Sequence, residues 1–425
     1  MCVNFVLCAL LIIVTYVNGD DSNPYTDAAH DKSWESEKEF VEIRPGAHMF
    51  YWLYYADGTR VDSHKKPLII WIQGGPGLAA SCVANFAEIG PLNMEMKPRN
   101  HTWVKGNNVL LIDHPVGTGF SYVTDDNLLV KTDREAVLDL SRLIKTFLRR
   151  HRQFRKTPTY LFGQSYGGKL CPRLTYYLHT AIQKNRLKMN LKGIGIGSGF
   201  VDPKESTLMY PQYLYVMGVL DRSAYMRAVD LSTKVAALID KKDYKAASTM
   251  QSLEIELLRN ESGMDVNFNN INQPSPYPSL ERLAAKINVF VKPTIRHVKQ
   301  DKLYNCIADK VFNNLQENFL VPTNRYLERL LNNTDLTIAV YNGNLDIITS
   351  LAGASNWVHK LRWPGAQKFR NQRKYPITGH RNGFYKVHEN LSFWWVYKAG
   401  HWIPEDNPVA MAEILNHVIK QDNSI

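Results

Sequence analysis

Residues 159–168 read TYLFGQSYGG and contain a glycine–X–serine–X–glycine motif centred on Ser165. The apolar run before the motif predicts a short buried strand, and the segment after Gly167 has helical spacing. Glycines on both sides of the serine permit a strained turn that lifts the hydroxyl clear of its own backbone. A motif of this length also arises by chance, so its catalytic interpretation depends on partners elsewhere in the chain.

Strand-like and helical segments alternate on both sides of this motif. Thr132 and Glu135 have the spacing of a capping box, and the apolar residues that follow recur at helical intervals. The alternation predicts an α/β fold with a largely parallel central sheet and helices on both faces. The strand-like segments are residues 49–56, 67–72, 109–112, 159–162, 191–197, 336–341 and 391–397.

Residues 201–304 interrupt this alternation. Their pattern is helical, most clearly at 231–239 and 244–258, and it ends in a proline-rich turn region. We interpret residues 201–304 as a mainly helical cap inserted into an α/β core. Residues 20–200 would form the first part of that core, and residues 305–425 the second part, with the candidate acid and base.

The N-terminus has the composition of a secretory signal. Residues 3–17 are almost wholly apolar, and we expect residues 1–19 to be removed as a signal peptide. No later segment is long and apolar enough to cross a membrane. These features predict a glycoprotein of the secretory pathway, either secreted or lysosomal. The four candidate glycosylation sites are Asn100, Asn260, Asn332 and Asn390.

Charge and cysteine content limit the function classes further. The formal net charge is +11, and the densest basic run, residues 149–156, lies at a predicted helix end, which favours a solvated helix terminus over a nucleic-acid surface. Cys82, Cys171 and Cys306 allow at most one intramolecular disulfide, whose pairing stays open. No zinc-hydrolase motif or dinucleotide fingerprint occurs, so we predict no metal or cofactor. A homodimer is left open.

A nucleophilic serine needs a histidine to accept its proton and a carboxylate to orient that histidine. Asp346 and His401 each follow a late predicted strand, and their order along the chain, acid and then histidine, is the order of α/β-hydrolases. A glycine-rich loop after residues 67–72 can bring backbone N–H groups close to a substrate. We therefore predict an oxyanion hole formed by backbone N–H groups of this loop together with the N–H of Tyr166.

Three further motifs accompany the elbow: WIQGGPG at residues 71–77, DHPVGTGFSY at 113–122 and AGHWIP at 399–404. Together they resemble the serine carboxypeptidase family of the α/β-hydrolase fold, and the resemblance spans nearly the whole chain after the signal segment. It implies hydrolysis of the last peptide bond in peptides or proteins that have a free C-terminus. The reaction would proceed through an acyl-enzyme on Ser165, and the resemblance implies that the N–H groups of Gly75 and Tyr166 bind the oxyanion.

The resemblance also implies a site for the terminal carboxylate of the substrate. In this sequence the site would comprise Gln73, the backbone of Gly74, Glu88 and Gln164. The family usually has glutamate where Gln164 stands. Two acids that meet a carboxylate must take up protons, whereas a glutamine amide donates without one. We therefore expect carboxylate binding here to depend less on acid pH.

Three other functions stay open on the sequence. Gln164 is compatible with a catalytically weak or inactive binding or protective homologue. A lipase or esterase is disfavoured by Glu88, because a fatty-acyl site has no need of a carboxylate-binding group. An acyltransferase is the third alternative, since an alcohol can intercept an acyl-enzyme in place of water. The leading interpretation is a serine-type carboxypeptidase.

Overall fold

The computed structural model describes residues 34–262, 266–274, 279–299, 302–378 and 381–420. The predicted signal peptide, residues 1–19, lies outside them. The strands are β1 (Ser36–Arg44), β2 (Ala47–Tyr54), β3 (Leu68–Ile72), β4 (Asn108–Ile112), β5 (Tyr122–Val123), β6 (Pro158–Gln164), β7 (Asn190–Gly197), β8 (Thr337–Gly343), β9 (Tyr375–Pro376), β10 (Gly383–His388) and β11 (Leu391–Val396).

The α-helices connect and flank these strands. They are α1 (Asp133–Arg150), α2 (Tyr166–Gln183), α3 (Pro203–Val216), α4 (Arg222–Asp240), α5 (Tyr244–Glu261), α6 (Ser279–Lys286), α7 (Asp309–Phe319), α8 (Asn324–Asn333), α9 (Leu351–Lys360), α10 (Ala366–Asn371), α11 (Ile403–Asp406) and α12 (Pro408–Lys420).

The strands of the described residues form one sheet with the order β1-β2-β4-β3-β6-β7-β8-β11-β10-β9, and β5 pairs with β2. The six central strands from β4 to β11 are mutually parallel. Antiparallel strands complete both edges. The predicted α/β class with a mostly parallel sheet is confirmed. Because the central strands are parallel, their carboxyl ends meet at one edge, where ligand sites of such sheets form.

Both faces of the sheet are covered by helices, as the apolar residues of β3 illustrate. Leu68, Ile70 and Ile72 belong to a core that includes residues of α1, α2 and α8. Ile69 and Trp71 point to the opposite face, into a second core that includes residues of α12. A strand buried on both faces reads as a continuous apolar run, which is the pattern of residues 68–72.

Helix α1 begins at the predicted capping box. The Thr132 side chain accepts a hydrogen bond from the Glu135 N–H, and the Glu135 carboxylate accepts one from the Thr132 N–H, so the prediction is confirmed. The helix ends at Arg150. Its basic C-terminal turn complements the helix dipole.

Within residues 201–304, the described segments contain helices α3 to α6. Buried residues of α3, α4 and α5 form a small separate core that includes Ile347. Tyr213 Oη donates to the Asn344 carbonyl at 2.8 Å, and Tyr210 Oη donates to the Ile348 carbonyl at 2.9 Å. These contacts place α3 over the loop that follows β8, at the carboxyl edge of the sheet.

Candidate active site

Ser165 lies in a sharp turn between β6 and α2. Its backbone has φ 57° and ψ −121°, a conformation that L-residues rarely adopt. A Cβ at Gly163 would lie 2.4 Å from the Gly167 carbonyl oxygen, and a Cβ at Gly167 would lie 1.9 Å from the Ile72 carbonyl oxygen. Both flanking positions therefore require glycine, which explains in packing terms the motif seen in the sequence.

His401 and Asp346 lie in contact. His401 Nδ1 is 2.8 Å from Asp346 Oδ2, and the two side chains are 5% and 0% exposed. A neutral imidazole whose Nδ1–H donates to a carboxylate leaves Nε2 free to accept a proton. The Asn269 carbonyl accepts a 2.7 Å hydrogen bond from the His401 N–H and so positions the backbone of the histidine loop.

Thr349 also supports this acid, a role that the sequence analysis missed. Its N–H donates to Asp346 Oδ1 at 3.0 Å, and its hydroxyl donates to Oδ2 at 2.6 Å. Both carboxylate oxygens are therefore hydrogen-bonded, which fixes the plane of the carboxylate relative to His401. The only available signal was a threonine three residues after a loop aspartate, which is common in turns.

The three loops converge because they follow neighbouring parallel strands. The Ser165 N–H donates to the Gly197 carbonyl at the end of β7, and the Ser198 N–H donates to the Tyr341 carbonyl in β8. A Cβ at Gly343, the last residue of β8, would lie 2.2 Å from the Ala399 carbonyl oxygen. The carboxyl ends of β6, β7, β8 and β11 thus bring the serine, acid and histidine loops to one edge.

The glycine-rich loop packs against the serine. A Cβ at Gly74 would lie 2.5 Å from Ser165 Cβ and 3.1 Å from its Oγ, so only glycine allows this approach. Gly75 has φ 108°, which again favours glycine. Tyr166 is the first residue of α2, and N–H groups in the first turn of a helix have no intrahelical acceptor. The Tyr166 N–H is thus adjacent to Ser165 in the chain, and Gly75 belongs to the loop whose Gly74 contacts Ser165.

The side chains of Gln73, Glu88 and Gln164 meet in a buried cluster. Gln73 Nε2 donates to Glu88 Oε1 at 3.1 Å, and Gln164 Nε2 donates to the same oxygen at 3.0 Å. Each of the three residues is at most 1% exposed. Glu88 Oε2 and Gln164 Oε1 are buried without a hydrogen-bond partner among the described residues. These two oxygens are therefore available to form hydrogen bonds with a ligand.

The protonation state of Glu88 decides what the cluster can do. Burial raises its pKa to about 8, although the amides of Gln73 and Gln164 partly oppose the shift. Below that pH the carboxyl is neutral and carries one O–H. Since both amides donate to Oε1, the proton belongs on Oε2, which then offers a donor to an anionic ligand.

His114 supports the same region and was not singled out from the sequence. Its Nε2 lies 2.9 Å from the Gln73 carbonyl oxygen, and burial lowers the pKa of the imidazole to about 4. The neutral ring can therefore donate to the backbone that leads into the glycine-rich loop. The neighbouring Asp113 carboxylate accepts hydrogen bonds from the N–H groups of Ser81 and Phe120. The sequence signal was the motif at residues 113–122, whose individual contacts it could not specify.

A buried ion pair lies beneath the elbow. Lys169 Nζ is 2.8 Å from Asp133 Oδ2, and the two side chains are 0% and 1% exposed. The hydroxyl of Tyr166 donates to the other oxygen of Asp133 at 3.0 Å. Lys169 also donates to the Asn318 and Phe319 carbonyls at the end of α7. The network therefore connects the start of α2 with α1 and α7.

The cysteine pairing, open on the sequence, is resolved. Cys82 and Cys306 form a disulfide with a Cα–Cα distance of 5.6 Å, and Cys171 is free and buried. The Ala79 N–H donates to the Cys306 carbonyl at 3.0 Å. The disulfide connects the segment after the glycine-rich loop to the chain that leads into α7.

The four candidate glycosylation asparagines differ in their surroundings. Asn100 and Asn260 are exposed. The Asn332 amide donates to the carbonyls of Glu328 and Arg362, and the Asn390 amide donates to the carbonyl of Thr334. Asn332 is also exposed, whereas Asn390 is half-buried; Asn100 and Asn260 are the exposed pair whose amides are not engaged in these carbonyl hydrogen bonds.

Within the described ranges, no helix is long and apolar enough to cross a membrane. In the same part of the chain, no three His, Cys, Asp or Glu side chains are grouped closely enough to hold a metal ion.

Comparisons with known proteins agree with the motifs. A family model described as serine carboxypeptidase matches residues 27–421. Retinoid-inducible serine carboxypeptidase of Mus musculus is 33% identical over 415 residues, which cover 90% of this chain and 91% of the relative. The Homo sapiens protein of the same name is 32% identical over 425 residues and covers 92% of this chain and 93% of its own. Venom serine carboxypeptidase of Apis mellifera is 29% identical over 389 residues, 87% and 80% of the two chains.

A solved structure supports the fold. The crystal structure of a prohormone-processing carboxypeptidase from Saccharomyces cerevisiae matches with a TM-score of 0.79 at 20% identity, and the match covers 91% of both chains. The likeness confirms the predicted α/β-hydrolase architecture.

Proposed function

The chain belongs to the serine carboxypeptidase family, and from this membership we propose that it hydrolyses C-terminal peptide bonds with Ser165, His401 and Asp346 as its catalytic triad. The substrates are peptides or proteins with a free C-terminus, and the products are the terminal amino acid and the shortened peptide. The observation that carries the proposal is the 2.8 Å contact between His401 Nδ1 and Asp346 Oδ2, at the sheet edge where the elbow presents Ser165.

The reaction has two steps. Ser165 Oγ attacks the carbonyl carbon of the last peptide bond while His401 Nε2 accepts the hydroxyl proton. His401 then protonates the departing amine, the C–N bond breaks, and the peptide stays on Ser165 as an ester. Water attacks this ester and gives its proton to His401, which returns it to Ser165 Oγ. Asp346 stays ionised and orients the imidazole throughout.

Two backbone N–H groups would stabilise the oxyanion of each tetrahedral intermediate. The Gly75 N–H belongs to the loop that packs on Ser165, and the Tyr166 N–H lies at the positive end of the α2 dipole. The loss of one donor in such a site typically lowers kcat by about 10²–10³. Because both donors are backbone groups, loop geometry matters more here than side-chain identity.

Recognition of the terminal carboxylate would fall to the cluster of Gln73, Glu88 and Gln164. A neutral Glu88 can donate its Oε2–H to the substrate carboxylate, while the two amides fix Oε1. The pKa of Glu88, which burial raises to about 8, keeps this donor available at neutral pH. Since Gln164 needs no proton, the cluster requires one bound proton where a pair of acids would require more. This supports carboxylate binding that persists outside acidic compartments.

The N-terminal apolar segment bears on where the protein acts in the cell. We infer that residues 1–19 direct the chain into the secretory pathway and that it is secreted or lysosomal. The names of the relatives include a venom carboxypeptidase. Expression in animal cells with and without residues 1–19 tests the route: the glycosidase-sensitive mass should appear only with the leader and should decrease in Asn100→Gln and Asn260→Gln.

Blocked dipeptides with a free or an amidated C-terminus test the activity. The wild type should release the terminal residue from the free acid only, and Ser165→Ala should release none. Labelling of Ser165 by a fluorophosphonate without peptide turnover would overturn the proposal in favour of an esterase or a binding homologue. Equal turnover of both dipeptides would contradict the proposed role of the Gln73, Glu88 and Gln164 cluster.

A further inference from the structure

A second concave site lies away from the catalytic edge. A groove of about 570 Å³ runs between the C-terminal half of α1 and the loop that joins α2 to β7. We call it the basic groove, because half of its twelve lining residues are cationic. These are Arg142, Lys145, Arg149, Arg155, Arg186 and Lys188.

The positive charge of the basic groove is poorly neutralised. Glu42 is the one acidic residue among the lining residues, and its carboxylate accepts a 3.0 Å hydrogen bond from the Gly46 N–H in its own hairpin. Arg142 pairs with Asp139. The exposed cations of the groove that make no ion pair with a described carboxylate are Arg149, Arg186 and Lys188.

The cations of the groove come from separate segments of the chain. Residues 142, 145 and 149 are three and four positions apart on α1, so they share one helix face. Arg186 and Lys188 come from the loop that joins α2 to β7. Like charges that line one groove repel one another, and a bound chain of anions would relieve that repulsion along both segments. The arrangement therefore favours an extended anionic ligand over a single small ion.

The basic groove is remote from the triad. Helix α2 begins next to Ser165 at the carboxyl edge of the sheet, and its 18 residues end at Gln183, just before the groove loop. At 1.5 Å per residue the helix spans about 27 Å. The groove thus lies at the amino edge of the sheet, and a ligand there would leave the catalytic edge open to peptides.

The side chains of the groove disfavour two classes of anionic ligand, single-stranded nucleic acid and lipid membranes. No aromatic residue lines it, and the nearby Tyr177 ring faces Lys145 Nζ at 5.1 Å from the ring centroid. The groove itself therefore lacks the stacking platforms with which proteins bind single-stranded nucleic acid. Its apolar lining residues, Ile43, Leu148 and Leu187, are each at most 8% exposed and offer no surface for insertion into a lipid layer. Linear sulfated polysaccharides are present on the proposed secretory route, and their repeated sulfate groups match cations spaced along a groove.

We propose that the basic groove binds a linear sulfated polysaccharide and so tethers the enzyme to sulfated glycans. Arg149, Arg186 and Lys188 are the principal sulfate-binding side chains. Arg155 is the least adaptable cation, because its Nε donates to the Leu148 carbonyl. The tether rests on the proposed secretory route, but the groove chemistry does not depend on peptidase activity.

Heparin binding by the full-length secreted protein tests this proposal. The groove variant is Arg149→Ser/Arg186→Ser/Lys188→Ser. The matched control, Lys105→Ser/Arg222→Ser/Lys241→Ser, removes the same charge from exposed residues outside the groove. We expect the groove variant to bind heparin at least about tenfold more weakly and to reduce the slope of log affinity against log salt by roughly two to three. Neither variant should change the turnover of blocked dipeptides.

Three results would overturn the proposal. Equal losses in the groove and control variants would mean that heparin senses only net charge. Tighter binding to a single-stranded oligonucleotide of equal charge would replace the glycan with nucleic acid. Groove-dependent binding to phosphatidylserine vesicles would replace it with a membrane surface. Weaker heparin binding by the groove variant, together with normal peptide turnover, supports the proposed glycan site. A wild type that does not hydrolyse the dipeptides would refute the proposed function without affecting the heparin test.

Discussion

The substitution Gln164→Glu would introduce the acid that the family usually has beside Glu88. Gln164 Nε2 lies 3.0 Å from Glu88 Oε1, so the new carboxyl would meet a group whose pKa burial has already raised to about 8. Two carboxyls at this distance cannot both be ionised at low cost, and a substrate carboxylate adds a third negative charge. The variant must therefore bind two protons where the wild type binds one.

The expected effect follows from coupled titration. Two carboxyl groups in close contact lose their protons in two steps, which lie about three pH units apart in aspartic-protease dyads. The Gln164→Glu variant should lose substrate binding when the first of its two protons dissociates, which is the step at lower pH. We expect the alkaline limb of kcat/KM to move toward acid by about two pH units. At one decade per pH unit above a limb at about pH 6, roughly 10% of the maximal kcat/KM would remain at neutral pH.

The assay is kcat/KM for a blocked dipeptide from about pH 4 to 9. A small aryl ester without a carboxylate serves as the control substrate, because it needs the triad and the oxyanion hole but not Glu88. Its pH profile should be the same in both enzymes. Superimposable peptide profiles would refute the reasoning, and so would an equal displacement of the peptide and ester profiles.

Three further predictions concern the network around the site. Thr349→Val removes the hydroxyl bond to Asp346 and should lower kcat about tenfold with KM unchanged; an unchanged kcat would mean that its N–H bond suffices. Lys169→Met leaves Asp133 buried without its counter-ion and should lower the free energy of unfolding in urea by about 3–5 kcal/mol, partly restored by adding Asp133→Asn. Because burial raises the pKa of Glu88 to about 8, the folded state binds an extra proton between about pH 4.5 and 8, so stability falls as pH rises through that range, by at most about 5 kcal/mol. Glu88→Gln should flatten the dependence of the urea midpoint on pH, and an undiminished slope would contradict the assigned pKa shift.

Much of the sheet could be predicted from the sequence because its central strands are buried on both faces. Residues 68–72 and 109–112 have continuous apolar runs, and such runs are distinctive. Strands β1 and β10 were missed. Their burial patterns are mostly intermediate or exposed, and neither has the continuous apolar run of a central strand. Cross-strand pairing, which a linear sequence does not display, stabilises them.

The candidate site was predictable in part, for a similar reason. Motifs identify residues whose backbone must adopt a special conformation, such as the glycines around Ser165. They do not reveal contacts between distant segments. The hydrogen bonds from Gln73 and Gln164 to Glu88 join three separate elements, and the bond from His114 to the Gln73 carbonyl joins two loops. Side-chain contacts of this kind depend on the sheet order, which propensity and periodicity do not encode.

The left-handed backbone at Ser165 makes the protein less stable than its fold allows. A residue in this conformation costs about 1–3 kcal/mol, and glycine would relieve most of that strain. Selection for thermal stability alone would favour glycine at this position. The serine therefore reflects selection for catalytic reactivity. An alanine keeps the Cβ and hence the strain, whereas a glycine removes both the strain and the nucleophile. An inert protein with glycine at residue 165 would therefore be the more durable form in which to trap a bound peptide.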